Sequence, residues 1–488
     1  MNRAVWNQLK LNNMLGISLS LIIFTLTVRL FSLNLYPVMD TTEARYGEMA
    51  RIMLETGNWL TPMFDYDVPF WGKPPIFTWL SATGLKFLGD NEFALRAPHF
   101  LVALATLFVI WYLAKTGELF NRSSLSTKDN TSDYAWLSCA LLATTSIFII
   151  IGAAVMTDTA LMFSVSLAMT SFWLYWQKKN MYWGYLFFVA LALGMLSKGP
   201  IALLLVGISL CIWISFQSRW HKLLHCLPWR SGILVFIVLA LPWYLLAERA
   251  TPGFLNYFLL GEHFKRFVVS GWEGDLYGSA HNRMRGTIWL YWVIATLPWF
   301  PLFITQLVRY YKSSNKPLEK TQGIDSFLYC WLLSPLILFS FSGNILWTYV
   351  LPGIPAFALL LARFQMRCPL ALKYYYLGLF TPLLILLGVA VIALRPMNKP
   401  SQKPLIQTWQ QQLEYKNSTI YYLKNLPFSA RYYTKGKAKL IDDTLANITK
   451  NLKGEFIVIR AQDMPTNLVV LGCEKRFSTL KHSLIYCI

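Results

Sequence analysis

The chain has 488 residues, of which 55% are hydrophobic and 14% are charged. A soluble globular protein carries about 25% charged residues, so this composition excludes an ordinary soluble domain and indicates a protein of the lipid bilayer. The formal net charge of +20 does not indicate a nucleic-acid-binding protein, because the basic residues are spread over short loops between apolar segments.

The apolar segments predict about eleven membrane-spanning helices, since a span needs about 20 largely apolar residues. The first follows a basic start and lacks a small-residue cleavage site, which predicts a retained span rather than a removed signal peptide. The predicted spans lie near residues 14–34, 92–114, 134–153, 157–177, 181–197, 199–218, 231–247, 286–308, 325–343, 347–362 and 374–394. With the amino terminus in the cytoplasm, every short inside loop is basic, as the positive-inside rule requires.

Three long segments then lie outside: residues 35–91, residues 248–285 and a polar tail from about 395. The tail begins with a segment of linker composition and contains the β-type runs STIYYL, KAKLI, EFIVIRA and SLIYCI, with a helical stretch near residues 442–452. We therefore expect a transmembrane domain over residues 1–394 and a small α/β domain over residues 395–488.

The seven cysteines show no metal-type spacing. Cys473 and Cys487 both lie in the tail, and they are able to pair if the tail lies outside the cytoplasm. The spacing of the cysteines does not decide their connectivity.

The first outside segment is rich in charged residues. Asp40 and Glu43 lie at the start of an amphipathic stretch, residues 42–57, which predicts a helix on the membrane surface with Thr42 as its N-cap. Acidic groups at that position stabilise a helix N-terminus. A carboxylate at the bilayer edge also suits a general base that activates an acceptor hydroxyl, and these residues alone leave both interpretations open.

A second group of residues predicts an anion-binding site. Lys73 lies in the sequence FWGKPP, in which the prolines restrict the backbone and Gly72 permits close approach, so that its ammonium group suits a phosphate. Asp158 and Lys198 are isolated charges at the outer ends of two predicted spans. The alternative for each of these residues is a charged side chain that extends to the membrane surface.

A third group lies in the sequence GEHFKRF, residues 261–267. Arg266 suits bidentate contact with a phosphate. His263 and His281 are the residues that a metal would use, but two separated histidines are a weak metal signal.

In this order, the motifs resemble the membrane glycosyltransferases that use polyprenyl-phosphate sugars, a group that includes the aminoarabinose transferases of lipid A and the protein O-mannosyltransferases. The resemblance is carried by DTTEARY at 40–46, PFWGKPP at 69–75, GDNEFALRAP at 89–98, SKGP at 197–200, Glu262-His263 with Arg266, and TYVLPGIPAFALL at 348–360. It implies the GT-C fold, in which an α-helical polytopic membrane domain has an outside catalytic cavity and is followed by a soluble C-terminal domain.

The resemblance makes Asp40 or Glu43 the catalytic residue, and it makes Lys73 and Arg266 contacts to the donor phosphate. With the groups described above, the expected substrate-binding residues are Arg45, Tyr46, Lys73, Asp158, Lys198, Glu262, His263, Arg266 and Tyr349.

Three positions depart from the group's pattern. The aminoarabinose transferases usually have adjacent Asp and Glu in the first loop, whereas Thr42 precedes Glu43 here. Gly72 replaces a Glu that belongs to a metal site in that group, which argues against a bound metal, with His263 as the remaining ligand if one is bound. Asn344 replaces a common Lys and leaves the identities of the sugar and the acceptor open.

We therefore expect a multi-pass enzyme of the bacterial inner membrane, with a cytoplasmic amino terminus and a periplasmic C-terminal domain. It would move a sugar from a polyprenyl-phosphate donor, with inversion, to lipid A or a related glycolipid, and a protein acceptor is the alternative. A lipid or sugar transporter is disfavoured because the charges lie on one face rather than in the middle of spans. We expect no nucleic-acid partner, and no cofactor other than the disfavoured metal.

Overall fold

The computed structural model describes residues 3–116, 128–278, 281–312, 323–394, 400–412, 418–442, 454–464, 468 and 472–487. Helices up to Leu394 form the membrane part, and the described residues from 400 onward form the C-terminal domain.

The first half of the membrane part consists of α1 (Arg3–Ser32), α2 (Thr42–Thr56), a hairpin of β1 (Met63–Asp65) and β2 (Val68–Pro69), α3 (Ile76–Leu88), α4 (Glu92–Lys115), α5 (Lys128–Ala143), α6 (Ser146–Ile151), α7 (Thr157–Lys178), α8 (Met181–Lys198), α9 (Ile201–Gln217), α10 (Trp220–Cys226) and α11 (Trp229–Ala250). The second half consists of α12 (Phe254–Asn256), a π-helix (Tyr257–Lys265), α13 (Arg266–Val268), α14 (Thr287–Ala295), α15 (Phe300–Lys312), α16 (Ile324–Ser340), a 3-10 helix (Trp347–Gly353), α17 (Ile354–Arg367), a 3-10 helix (Leu372–Leu379) and α18 (Phe380–Leu394).

The helices confirm the predicted polytopic architecture. Among the described residues, 7 helices are long and apolar enough to cross a membrane, and the bent pair of α14 and α15 raises this to up to 8. The shorter apolar helices α9 and α16 lie at two further predicted spans, whereas the apolar α3 lies in the first outside segment and was not predicted. The multi-pass membrane location follows from this set of helices.

Burial distinguishes the inner helices from the lipid-facing ones. In the most apolar stretch of α7, 89% of the residues are buried, against 17% in the segment Leu372–Leu394, which ends with α18. Trp173, Trp213 and Phe327 pack their rings together in the core, with centroids between 4.7 and 5.8 Å apart. Because lipid is as apolar as these side chains, close packing rather than water exclusion holds such helices together.

A sharp bend of 97° separates α14 from α15. The bend frees backbone carbonyl groups, which must find donors at membrane depth. Ser146 supplies them, because its backbone N–H donates to Leu297 O at 2.9 Å and its hydroxyl lies 2.9 and 3.0 Å from the carbonyls of Ile294 and Ala295.

The C-terminal domain is built on a five-stranded sheet in the order β4-β3-β5-β7-β6. Its elements are α19 (Lys403–Gln410), β3 (Ile420–Leu423), α20 (Phe428–Thr434), β4 (Lys439–Ile441), β5 (Phe456–Arg460), a 3-10 turn (Ala461–Asp463), β6 (Cys473–Ser478) and β7 (His482–Cys487). Strands β4, β3 and β5 are parallel, and β7 pairs antiparallel with both β5 and β6. A disulfide between Cys473 and Cys487 joins β6 to β7.

Some local predictions were wrong. The expected linker includes α19, whose Leu405, Ile406 and Trp409 are buried. Helix α2 begins at Thr42 rather than being capped by it, and the preceding residue makes no side-chain capping bond. The helical stretch expected near residues 442–452 lies largely outside the described residues.

Candidate active site

A cavity of about 360 Å³ lies where one end of the bundle of membrane helices meets the C-terminal domain. Of the residues expected to bind substrate, all except His263 line it. The lining is Thr41, Thr42, Arg45, Tyr46, Phe70, Lys73, Met156, Thr157, Asp158, Lys198, Glu262, Arg266, Asp275, Tyr277, Gly278, His281, Leu346, Trp347, Thr348, Tyr349 and Phe428. A smaller cavity of about 70 Å³ shares the wall formed by Lys73, Lys198, Glu262, Arg266 and Tyr349.

Glu262 is the centre of a buried charge cluster. Its two carboxylate oxygens accept from Lys73 Nζ at 2.7 Å and from Arg266 at 2.6 Å, and Arg266 also lies 3.2 Å from Asp275. Burial acts to raise the pKa of Glu262, but the charges of Lys73 and Arg266 outweigh it and the pKa is lowered. Glu262 is therefore an anion that fixes two cations in the cavity wall.

The local backbone holds Lys73 in place. Its ammonium donates to Gly72 O as well as to Glu262, at 2.7 Å each. The Tyr277 hydroxyl accepts from Trp71 N at 3.0 Å and donates to Pro69 O at 2.8 Å, which ties the motif to the second outside segment. A Cβ at Gly72 would lie 2.8 Å from the Phe70 ring, so glycine permits this turn.

A second ion pair joins the start of α7 to the end of α8. Lys198 Nζ lies 2.6 Å from Asp158 Oδ1 and 4.5 Å from the centre of the Tyr349 ring. The two ring nitrogens of His263 lie 2.8 Å from Phe258 O and 3.1 Å from Lys198 O. Burial, and then the charge of Lys73, lowers the pKa of His263, so the ring is neutral near pH 7 and its single N–H donates to one of these two carbonyls.

The smaller cavity has a more apolar lining. Beyond the shared wall it is lined by Ile201, His263, Phe267, Phe339, Ser342 and Asn344. The Asn344 amide donates to the carbonyls of Arg266 and Val269 at 2.6 and 2.7 Å, so it holds the segment that carries Arg266.

The two residues predicted to be catalytic do not line either cavity. Asp40 accepts from the backbone N–H of Ser429 at 2.8 Å and from the Ser429 hydroxyl. Burial raises the pKa of Asp40, and the bonds from Ser429 oppose that shift without cancelling it. Asp40 therefore joins the first outside segment to the C-terminal domain, and the expected base role does not fit its position.

Glu43 forms a salt bridge with Arg96 through two bonds of 2.8 Å, and Arg96 is fully buried. Burial acts to raise the pKa of Glu43, but the charge and hydrogen bonds of Arg96 lower it overall. The general-base interpretation of Glu43 does not fit this arrangement either, since both of its oxygens are engaged away from the cavities.

The sequence left several lining residues without a role. Asp275 and Tyr277 follow the GEHFKRF motif, and their polar side chains could have marked them as cavity residues. Phe428 had no such signal, because it belongs to a short helix in the C-terminal domain.

The residues present do not fit a divalent metal. Within the described ranges, no three His, Cys, Asp or Glu side chains are grouped so that they could hold an ion. Glu262 is neutralised by two cations, and both nitrogens of His263 face carbonyl oxygens. Gly72 contributes no ligand.

Residues 13–258 match the family described as dolichyl-phosphate-mannose-protein mannosyltransferase. This match covers half of the chain. The chain belongs to that family.

Similar proteins carry the name of another activity. The chain is 28% identical over 341 residues to the undecaprenyl phosphate-alpha-4-amino-4-deoxy-L-arabinose arabinosyl transferase of Erwinia tasmaniensis, a match that covers 68% of this chain and 56% of the relative. The protein of the same name from Yersinia pestis is 28% identical over 379 residues, covering 76% of this chain and 63% of the relative. The chain thus spans about three fifths of the length of these relatives.

The fold matches that of a solved relative over nearly its whole length. The crystal structure of ArnT from Cupriavidus metallidurans bound to undecaprenyl phosphate superposes with a TM-score of 0.74 at 16% identity, covering 96% of this chain and 98% of that one. The likeness confirms the expected GT-C fold.

The Glu43–Arg96 pair predicts a stability effect. Glu43→Gln leaves the Arg96 charge buried without its counter-ion, which costs about 3–5 kcal/mol. We expect a lower thermal unfolding midpoint for the detergent-solubilised variant, measured by fluorescence-detected size exclusion. Glu55→Gln is the matched control, since Glu55 is half exposed on the same helix α2 and pairs with Arg51. An unchanged midpoint with lost activity would restore the catalytic interpretation of Glu43.

Proposed function

We propose that this chain is a glycosyltransferase that moves a sugar from a polyprenyl-phosphate donor to lipid A or a related glycolipid. The observation that carries the proposal is the wall of Lys73, Lys198, Glu262, Arg266 and Tyr349 shared by two cavities. Two observations support this donor class: the similar proteins are named for an undecaprenyl-phosphate aminoarabinose donor, and the solved neighbour is bound to undecaprenyl phosphate.

The charge balance of the larger cavity suits one phosphate. Its lining carries four cationic side chains, Arg45, Lys73, Lys198 and Arg266, and three carboxylates, Asp158, Glu262 and Asp275. Burial, followed by the charge of Arg266, lowers the pKa of His281, so that ring adds no charge near neutral pH. One uncompensated positive charge remains for an anionic ligand.

The positions of the cations suit the departing group. Lys73 and Arg266 would hold the donor phosphate and stabilise the charge that grows on it as the sugar–phosphate bond breaks. The apolar residues Ile201, Phe267 and Phe339 beside the shared wall would hold the start of the prenyl chain.

Among the cavity carboxylates, Asp158 is the residue that we assign as general base in place of Asp40 and Glu43. Its Oδ1 accepts from Lys198, while no hydrogen bond to Oδ2 is found among the described residues. Glu262 and Asp275 both engage Arg266. Asp158 would take the proton of an acceptor hydroxyl as its oxygen bonds to the anomeric carbon and the phosphate departs, and this single displacement inverts that carbon.

The acceptor is expected to be a glycolipid, because the relatives that match over most of the chain are the arabinosyl transferases. The family description favours a protein acceptor instead. Mass spectrometry of lipid A and of envelope proteins, from cells with and without the gene, separates the two.

Removing the proposed catalytic groups should strongly reduce transfer of the sugar. We expect Asp158→Asn and Lys73→Ala to lower kcat by about 10²-fold or more, as is usual for a general base and for a fixed cation at developing charge. The assay uses the purified chain, undecaprenyl-phosphate aminoarabinose and lipid A, with the product measured by mass spectrometry.

Lys86→Ala is the control, since Lys86 is exposed on α3 and lines neither cavity. Full activity of Asp158→Asn would refute its role as base. A wild-type chain that modifies envelope proteins and leaves lipid A unchanged would move the function to protein O-glycosylation, and modification of neither would favour a transporter.

We also propose that the reaction is metal-independent. Lys73 and Arg266 already neutralise Glu262, and both ring nitrogens of His263 face backbone carbonyls. Transfer should therefore persist after dialysis against EDTA, at more than about half the untreated rate. Loss of activity on chelation, with recovery on adding Zn²⁺ or Mn²⁺, would contradict metal independence. A known metalloenzyme treated with EDTA in parallel verifies that the dialysis removes metal.

We further propose a cytoplasmic amino terminus and a C-terminal domain outside the cytoplasm, at the bacterial inner membrane. The Cys473–Cys487 disulfide supports a C-terminal domain outside the cytoplasm, because such bonds persist in oxidising compartments.

In a variant that keeps just these two cysteines, thiol labelling of denatured cells should require prior reduction. Cys487→Ser in that variant is the control, in which Cys473 should be labelled without reduction. Labelling of the two-cysteine variant without reduction would place the domain in the cytoplasm.

A further inference from the structure

The C-terminal domain reaches into the candidate active site through the side chain of Phe428. Among the described residues that line the larger cavity, all the others lie between Thr41 and Tyr349. Phe428 shares the cavity with Thr41, Thr42 and Arg45, and none of these four residues lines the smaller cavity. The ring therefore lies away from the shared wall at which the donor phosphate is proposed to bind.

Several contacts fix the position of this ring. Ser429, the next residue, is held by the Asp40 carboxylate, and its hydroxyl also accepts from Gln402 N at 3.0 Å. Asp40 N donates to Pro400 O at 2.7 Å, so the same residue binds two segments of the C-terminal domain. On the same helix α20, Arg431 pairs with Asp65 of the hairpin.

The surroundings of the ring leave it partly open to the cavity. The Phe428 and Phe64 rings meet in a T-shaped arrangement at a centroid distance of 5.4 Å. The guanidinium groups of Arg45 and Arg431 lie 6.0 and 5.6 Å from its centre. Phe428 is of intermediate burial, so part of its surface remains free.

We propose that Phe428 is a specificity-determining residue that forms an aromatic platform for the sugar ring of the acceptor headgroup. An apolar ring face beside hydroxyl groups and a guanidinium matches a sugar, which presents C–H groups on one face and hydroxyls at its rim. Thr41, Thr42 and Arg45 would bind those hydroxyls. This inference rests on the proposed glycosyl transfer and assigns the acceptor subsite within it.

Asp40 acts in this arrangement as a positioning residue. Asp40 lines neither cavity, but its carboxylate accepts from the backbone N–H of Ser429, the residue that follows Phe428. Its loss should therefore change acceptor binding in the same way as loss of the ring, whereas a catalytic base would change the rate of the chemical step.

The test compares steady-state constants of the full chain in lipid nanodiscs, with undecaprenyl-phosphate aminoarabinose as donor and lipid A as acceptor. We expect Phe428→Ala to raise the acceptor KM by about tenfold, with kcat and the donor KM within about twofold of wild type. Phe428→Trp, which keeps a ring face, should restore the acceptor KM. Asp40→Ala should behave like Phe428→Ala, and Asp40→Asn, which still offers an acceptor oxygen to Ser429 N, should be milder.

Phe87→Ala is the matched control, because Phe87 is an exposed phenylalanine on α3 that lines neither cavity. An unchanged acceptor KM in Phe428→Ala, with an active wild type, would overturn this inference and leave the proposed function intact. A fall in kcat at constant acceptor KM would also overturn it. A wild-type chain that transfers no sugar to lipid A would overturn the proposed function, and the acceptor subsite with it.

Discussion

One buried guanidinium, that of Arg96, holds together the part of the molecule on which the cavity depends. Near the start of α4, it donates to both oxygens of Glu43 and to the backbone carbonyls of Leu33, Tyr36 and Pro37. A buried charge is tolerated only when its donors are satisfied and a counter-ion is present, and both conditions are met here. These bonds fix the end of α1 and the start of α2. They thereby position Arg45 and Tyr46, which follow Glu43 on α2 and line the cavity.

The cavity itself is built from charges that are already paired. Lys73, Lys198 and Arg266 each contact a carboxylate at 2.6–2.7 Å. These charge-assisted hydrogen bonds are short and directional, so they hold the long side chains in one geometry even without a ligand. An incoming phosphate would meet cations that need little further ordering, which is the condition for electrostatic stabilisation of a departing anion.

Much of the fold follows from local sequence patterns, and the site follows from them in part. Hydropathy locates the spans because each apolar segment carries its own signal. The alternation of these spans then predicted that Lys73, Asp158, Lys198 and Arg266 lie on one side of the membrane. The sequence did not predict that Asp40 contacts Ser429, since an acidic residue after a span has the same local pattern whether it meets a substrate or a serine far along the chain. The C-terminal helix α20 has seven residues, too few for a periodic signal.

The contact between Asp40 and Ser429 joins residues separated by 389 positions. Contacts of such long range form late, since most of the chain between them must be ordered first. During synthesis, the first outside segment emerges long before the helix that completes the cavity wall. A nascent chain that has not yet formed helix α20 would therefore insert its membrane helices and still have an open cavity, so the folding of the C-terminal domain completes the cavity wall.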